Sequence, residues 1–401
     1  MNEINLKSIL FIGGFFPADI RNEIIQNSIS NTHNAADALQ KGFLCGLKYF
    51  YPDMFIINAP FVGSFPKRYR KIYIPQCKLD KGLSLGFFNL TGAKHFIISH
   101  KLRAQVKRWY DNSLGRKIII IYSIQYPYLK AITDIKKSNP DIEIFLIVPD
   151  LVQFMGGPKG FIYRLSRKYE INKLEKCYQQ VNSYVFLSKY MVEALPIEKR
   201  TWCVIEGIYS EEKEITHTSL PDSKQILYTG TLARRYGIMN LLDAFNKIKN
   251  IDAKLIICGS GDCESEIMEA AKSNSNIIFK GLIDRKKVLQ LQEEATLLVN
   301  PRTPEGEFTS YSFPSKTIEY LASGIPTLLY KLPGIPDEYY DYCFSIENNN
   351  TVEFLTKEIE RILSLDVNYL RDFGEKARNF ILNEKNPLKQ CEKFFRLIEN
   401  N

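Results

Sequence analysis

The sequence predicts an α/β protein made of two doubly wound parallel-sheet domains, and three observations carry that prediction. Short apolar runs alternate with longer amphipathic stretches from end to end, the pattern of strands separated by helices that cover both sheet faces. The chain has 401 residues, 45% of them hydrophobic and 24% charged, enough to bury more than one core and too apolar for disorder. The charge also divides. Residues 1–210 hold 29 basic and 16 acidic side chains, or +13, and residues 211–401 hold 24 and 29, or −5. A uniformly basic nucleic-acid binder does not split this way, whereas a two-domain protein with one domain directed at an anionic partner can.

In the first half the strand candidates are Ser8–Ile12, Met54–Asn58, Lys117–Tyr122, Glu143–Val148 and Ser183–Leu187. Helical spacing appears in Asn34–Phe50, with Ala35, Leu39, Phe43 and Leu47 on one face, in Lys101–Asp111 and in Lys159–Gln180. The second half repeats the scheme, with strands at Gln225–Thr229, Lys254–Cys258, Asn276–Lys280, Leu297–Asn300 and Pro326–Tyr330. Its helices are Gly237–Ile248, Cys263–Lys272, Arg285–Ala295, Ser315–Ser323, Glu353–Leu363 and Asn368–Leu382. This places an N-terminal domain over 1–206, a polar hinge over 207–224 and a C-terminal domain over 225–383. Residues 384–401, with the helix Leu388–Ile398 after Pro387, pack back toward the first domain.

No apolar run approaches the roughly 20 residues that span a bilayer, and the start shows no cleavable signal pattern, so a cytoplasmic protein is expected. Eight scattered Cys include no Cys-x-x-Cys pair, which suits reduced, buried thiols. His33, His95, His100 and His217 show no metal-ligand spacing, and Asp-x-Asp is absent, so no metal or other cofactor is expected.

Several strand ends carry candidate chemistry. Gly13-Gly14 ends the first strand, which suits a ligand loop and an ordinary strand-to-helix turn alike. Thr229-Gly230-Thr231-Leu-Ala-Arg234-Arg235-Tyr236-Gly237 puts two guanidiniums beside a helix start, where fork geometry and dipole favour a diphosphate. Gly259-Ser260 makes another close-approach turn. Asn300-Pro301-Arg302 ends a strand, a loop with Glu305 and Glu307 follows, and a helix starts near Ser312-Phe313-Pro314-Ser315-Lys316. Backbone amides there can cradle an anion with Lys316 as a further cation, and Glu319, one turn on, can accept from ribose hydroxyls.

These motifs together resemble glycosyltransferases of the GT-B fold, most closely the retaining enzymes of glycosyltransferase family 4. The resemblance rests on Tyr-Thr-Gly-Thr-Leu, Cys-Gly-Ser-Gly, Asn-Pro-Arg and Ser-Phe-Pro-Ser-Lys-x-x-Glu-Tyr-Leu-Ala-Ser-Gly. It implies two Rossmann-like domains across a cleft, a nucleotide-sugar donor on the C-terminal domain and an acceptor on the N-terminal one. In the family's Glu-x7-Glu pattern Glu319 matches the second Glu, the ribose ligand, while Tyr311 stands at the first. Glu305 or Glu307 then supplies the missing carboxylate. The family's phosphate-binding Arg and Lys fall at Thr231 and Tyr236, leaving Arg234 and above all Arg235 as displaced substitutes. A family His corresponds to Pro149-Asp150, which makes Asp150 the candidate near the reacting carbon, and Tyr122 and Gln125 are candidate acceptor contacts.

The resemblance implies retaining transfer of a sugar, from UDP-sugar before other donors, to a saccharide acceptor, lipid-linked, in cell-surface polysaccharide synthesis. The segments Phe65–Tyr73 and Lys101–Tyr110 interleave cations with aromatics, as surfaces at an anionic membrane do, and point to peripheral attachment at the inner face of the plasma membrane. A sugar-nucleotide epimerase of the same fold and a non-catalytic nucleotide-sugar binder are the alternatives. Nucleic acid is not an expected partner, because no RNA-binding motif accompanies the basic segments.

Overall fold

The computed structural model describes residues 6–29, 33–154, 161–197, 199–210, 224–249, 252–347 and 350–401. The start of the Lys159–Gln180 helix and most of the 207–224 hinge lie outside the described residues. The chain forms two compact units, Met1–Ile208 with Pro387–Asn401, and Tyr209–Asn386.

The first unit contains β1 (Lys7–Gly13), α1 (Arg21–Asn27), α2 (Asn34–Phe50), β2 (Phe55–Asn58), β3 (Tyr73–Ile74), β4 (Cys77–Leu79), β5 (Gly82–Ser84) and β6 (Phe87–Phe88). It continues with α3 (Ala93–Asp111), β7 (Arg116–Tyr122), α4 (Tyr126–Ser138), β8 (Ile142–Val148), α5 (Phe161–Tyr178), β9 (Ser183–Phe186) and β10 (Thr201–Val204). Its main sheet has the order β10-β9-β8-β7-β1-β2-β5-β4, parallel except for the β4–β5 pair. Continuous burial of Ile118–Ile121 and Ile144–Val148 explains why these strands read as unbroken apolar runs: helices cover both faces.

The second unit contains β11 (Lys224–Thr231), α6 (Ile238–Lys247), β12 (Ala253–Ser260), α7 (Glu264–Ser273), β13 (Ile277–Gly281), α8 (Arg285–Glu293) and β14 (Leu297–Asn300). After these come α9 (Ser315–Ala322), β15 (Thr327–Tyr330), β16 (Phe344–Ile346), α10 (Val352–Leu363) and α11 (Val367–Glu384). The sheet order is β13-β12-β11-β14-β15-β16, parallel throughout. Counted in chain order this is 3-2-1-4-5-6, so the topology reverses between β11 and β14, and ligands of such sheets bind at the carboxyl ends of the two strands at the reversal. In the first unit the reversal lies between β1 and β7.

The last helix, α12 (Pro387–Glu399), belongs to the first unit. Phe395 stacks on Phe50 of α2 at 4.6 Å, Phe394 meets Phe43 at 6.3 Å, and a Cβ on Gly46 would lie 2.2 Å from the Pro387 carbonyl. Two boundaries differ from those read in the sequence. Glu206 is buried and its carboxylate pairs with Lys393 of α12, which keeps 206–208 in the first unit. At the other end, Asp366 caps α11, which runs to Glu384, and Lys385 O accepts from Tyr209 N at 2.8 Å, so the second unit extends to Asn386 instead of 383.

Candidate active site

In the second unit the candidate residues gather at the β11–β14 reversal. The hydroxyl of Tyr320, buried in α9, accepts from Thr229 N–H at 2.8 Å and lies 3.2 Å from Thr229 O, which pins α9 to the end of β11. Lys316 Nζ, one turn earlier, donates to Thr229 Oγ1 at 3.2 Å. The glycines there are required sterically. Gly230 has φ +158°, Gly259 has φ +142°, and a Cβ on Gly259 would lie 1.8 Å from Gly230 O, so the β11 and β12 ends close on each other with no room for side chains. Ser260 O accepts from Leu232 N–H at 2.9 Å and fixes the next loop.

Arg302 is the dominant charge. It is only 7% exposed, no carboxylate pairs with it among the described residues, and its Nε is buried without a partner. Nη2 donates to Ser312 Oγ at 2.7 Å, and the guanidinium stacks on Phe308 at 4.7 Å and reaches the Tyr236 ring at 5.7 Å. Burial lowers its pKa, Arg235 adds to the effect and Tyr236 opposes it. An isolated buried charge costs several kcal/mol unless a counter-charge arrives, so an anion would relieve this arrangement. Arg235 covers the Tyr236 ring at 4.8 Å and its Nη2 donates to Tyr236 Oη at 3.0 Å. Tyr236 therefore serves both guanidiniums, a role the sequence reading did not assign to it.

Arg234, the other expected diphosphate ligand, is placed differently from Arg235. Its Nη2 is held 2.9 Å from Glu266 at the surface of α7, so its charge is already answered there.

The helix start contributes amides. Pro314 caps α9 without a side-chain hydrogen bond, Ser315 is exposed, and Phe313 is buried against Tyr339 at 5.3 Å, which anchors the turn. Glu319 accepts from Gln292 Nε2 at 3.0 Å and lies 3.4 Å from Arg285 Nη1 and 3.5 Å from Lys316 Nζ. Burial opposes its ionisation, but Lys316, Arg285 and the Gln292 amide outweigh burial and hold the carboxyl below its ordinary range. An ionised, oriented carboxylate with lone pairs to spare suits recognition of vicinal hydroxyls. Gln292 and Arg285, 27 and 34 residues before Glu319, escaped the sequence reading because only the fold joins them. Glu305 and Glu307 lie exposed on the loop after Arg302, and Tyr311 is on the same loop.

In the first unit the β1–β7 reversal brings together Gly13-Gly14, Tyr122 and Gln125. A Cβ on Gly14 would lie 2.1 Å from the Phe61 ring, and Gly14 N–H donates to Gln40 Oε1 at 2.6 Å. Both glycines are buried, so the pair serves close packing of the loop. Tyr122 is 3% exposed with its ring 6.3 Å from Phe61, while Gln125 opens α4 and is partly exposed. Between them Ser123 holds φ +82°, a left-handed conformation in a non-glycine residue at a strand end. Asp150 lies two residues beyond the end of the neighbouring strand β8. Solvent reaches its side chain, yet surrounding protein desolvates the carboxyl enough to push it up to about 6. Among the described residues, no three His, Cys, Asp or Glu side chains gather as a metal site would.

Residues 210–380 match the family model described as Glycosyl transferases group 1. Among solved structures, the chain is similar to sucrose-phosphate synthase from Thermosynechococcus elongatus, with TM-score 0.66 and 14% identity over 98% of this chain and 100% of that one. It is also similar to the lipopolysaccharide outer core galactosyltransferase WaaB in its apo form, with TM-score 0.62, 14% identity and 98% and 99% coverage. A third similar structure is Anabaena HepE in complex with UDP, with TM-score 0.61, 11% identity and 98% and 100% coverage. No curated protein sequence matches significantly.

Proposed function

We propose that this chain, whose residues 210–380 match the Glycosyl transferases group 1 model, is a GT-B fold glycosyltransferase, a retaining enzyme that moves a sugar from UDP-sugar to a lipid-linked saccharide of a cell-surface polysaccharide. The observation that carries the reading is the buried, carboxylate-free Arg302 beside an uncapped helix start and an ionised Glu319 at a topological reversal. A diphosphate satisfies the first two and a ribose the third. The UDP named with the HepE structure is compatible with this choice.

Arg302, Arg235, Lys316 and the Ser315–Lys316 amides hold the diphosphate and stabilise its growing charge, so the reading needs no metal. The acceptor oxygen bonds to the anomeric carbon as the carbon–phosphate oxygen bond breaks, and the acceptor proton passes to the departing diphosphate oxygen on the same face. The first unit supplies the acceptor edge, with Gln125 and Tyr122 as contacts and ionised Asp150 as the carboxylate of that edge. Glu305 or Glu307 replaces the sugar-contacting carboxylate that Tyr311 lacks.

An exposed patch on the first unit supports membrane attachment. Tyr73 and Phe88 pair across β3 and β6 with rings 5.3 Å apart, and Ile72, Leu90 and Phe96 are exposed as well, Phe96 to 77%. Lys67, Arg70 and Lys71 lie in the same segment, and each cation near an anionic leaflet contributes about 1 kcal/mol. The Lys101–Tyr110 segment continues α3 beyond Phe96, with one face in the core and Lys107 and Arg108 exposed on the other. Leu102, Val106 and Trp109 are core, and Arg103 pairs with Asp134 at 2.6 Å. No helix among the described residues is long and apolar enough to cross a membrane.

The test is a panel of nucleotide sugars with a lipid-linked saccharide fraction as acceptor, with the product anomer read by NMR. Transfer with retention supports the reading. Donor consumed without a transferred product favours an epimerase. Tight donor binding without turnover favours a sensor, an outcome consistent with Tyr311 in place of a carboxylate.

A further inference from the structure

The segment Ala59–Val62 runs along the glycine loop of the first unit: Ala59 N–H donates to Gly13 O at 2.9 Å and Phe61 N–H to Gly14 O at 2.8 Å. Val62 O accepts in turn from Lys94 Nζ at 2.7 Å. Lys94 is 8% exposed and has no carboxylate partner among the described residues. Arg68, whose Cβ packs 2.4 Å from where a Gly63 Cβ would stand, has an exposed side chain with no hydrogen bond or ion pair there either. His33 stands at the entry to α2 within the field of both cations. Burial first, and mutual repulsion after it, keep Lys94 and His33 from holding a proton easily. Burial and then Arg68 lower Lys94 to about 8, while burial, Lys94 and Arg68 lower His33. The adjacent His95 leaves Nδ1 buried and unpartnered.

Lys94 and Arg68 thus flank the Val62–Gly63 turn at the carboxyl edge of the first sheet with no carboxylate paired to either among the described residues, and His33 stands within their field at the entry to α2, a state that an arriving anion relieves. Lys94 is also the second residue of α3, whose cap Gly92 offers no side-chain hydrogen bond to the first-turn amides. We propose that Lys94, Arg68 and His33 form a subsite beside Gly13-Gly14 for a phosphate group carried by the acceptor. This rests on the reading of the first unit as the acceptor side, but anion binding itself requires no transfer.

His33 is the local reporter, since no His belongs to the Arg302 site. In the full chain with labelled histidines, its imidazole is titrated by NMR with inorganic pyrophosphate against chloride of equal ionic strength. The pKa of His33 is expected to rise by about one unit with pyrophosphate. Lys94→Met and the exposed-site variant Arg68→Gln are each expected to weaken the pyrophosphate response by about tenfold, or 1.4 kcal/mol. An unmoved His33, or a response in both variants as strong as that of the natural chain, overturns the subsite. Phosphatidylglycerol vesicles form a second arm. A response to soluble pyrophosphate without vesicles supports a phosphate borne by the acceptor, and a response to vesicles alone replaces the subsite with simple headgroup contact. Transfer with a silent His33 removes the subsite only. A responsive His33 without transfer removes the enzymatic reading only.

Discussion

Arg302 Nη2 donates to Ser312 Oγ at 2.7 Å, and the same hydroxyl lies 2.8 Å from Phe308 O. The strand end and the helix start are therefore joined through one buried guanidinium that keeps unused donors. Its buried Nε has no partner, so bracing the loop leaves a donor unused.

The two arginines after β11 should differ sharply. Arg234→Ala removes a surface ion pair with Glu266, so transfer should be unchanged and stability altered by no more than about 1 kcal/mol. Arg235→Ala removes a charge that no carboxylate pairs among the described residues, on the Tyr236 ring that Arg302 also reaches, and should weaken UDP binding by about 10- to 100-fold. Isothermal titration of both variants decides between this assignment and its reverse.

The carboxylate missing at Tyr311 should be recoverable. Glu307→Gln or Glu305→Gln, whichever meets the donor sugar, should lower kcat by about 10- to 100-fold while leaving the affinity for UDP alone unchanged, because the role proposed for this carboxylate is toward the sugar. Full turnover in both variants and in their double removes the role from this loop.

Glu319 ties stability to pH. Its folded pKa is depressed below the ordinary 4.5, so its contribution is complete above that value and is lost as pH falls through the lower folded one. The Tm gap between the natural chain and Glu319→Gln should be widest near pH 7 and shrink below about pH 4.5. A gap that grows on acidification contradicts the ion-pair account.

Asp150, raised to about 6, should titrate within the working range. If its ionised form favours the transition state, kcat/KM should fall below about pH 6, and Asp150→Asn should lower the plateau and remove that limb. An unchanged acid limb in the variant assigns the titration elsewhere.

Much of this architecture is legible in the chain because the strands are buried on both faces and stand out as apolar runs; Asn34–Phe50 and Leu297–Asn300 coincide with observed elements to the residue. The misses have physical causes. Tyr126–Ser138 escapes because Pro127 at its first turn and a tyrosine-rich start read as a loop, though Pro is favoured there. The pairs β3–β6 and β4–β5 are two or three residues long, too short to show a period. At the site, Gly230, Gly259, Arg302, Lys316 and Glu319 could be read from local motifs. The stack of Arg235 on Tyr236 next to Arg302 could not, nor could Gln292 and Arg285 behind Glu319, since such contacts depend on which strand ends become neighbours.

The central claim is that the β11–β14 edge binds a nucleoside diphosphate through Arg302. Its most direct test is the thermal unfolding of the second unit with UDP, in the natural chain and in Arg302→Met. Ligand at about 100 times its dissociation constant stabilises by about 2.7 kcal/mol, so UDP should raise Tm clearly in the natural chain and little in the variant at the same concentration. Equal stabilisation of both, or none in the natural chain at millimolar UDP, contradicts the account.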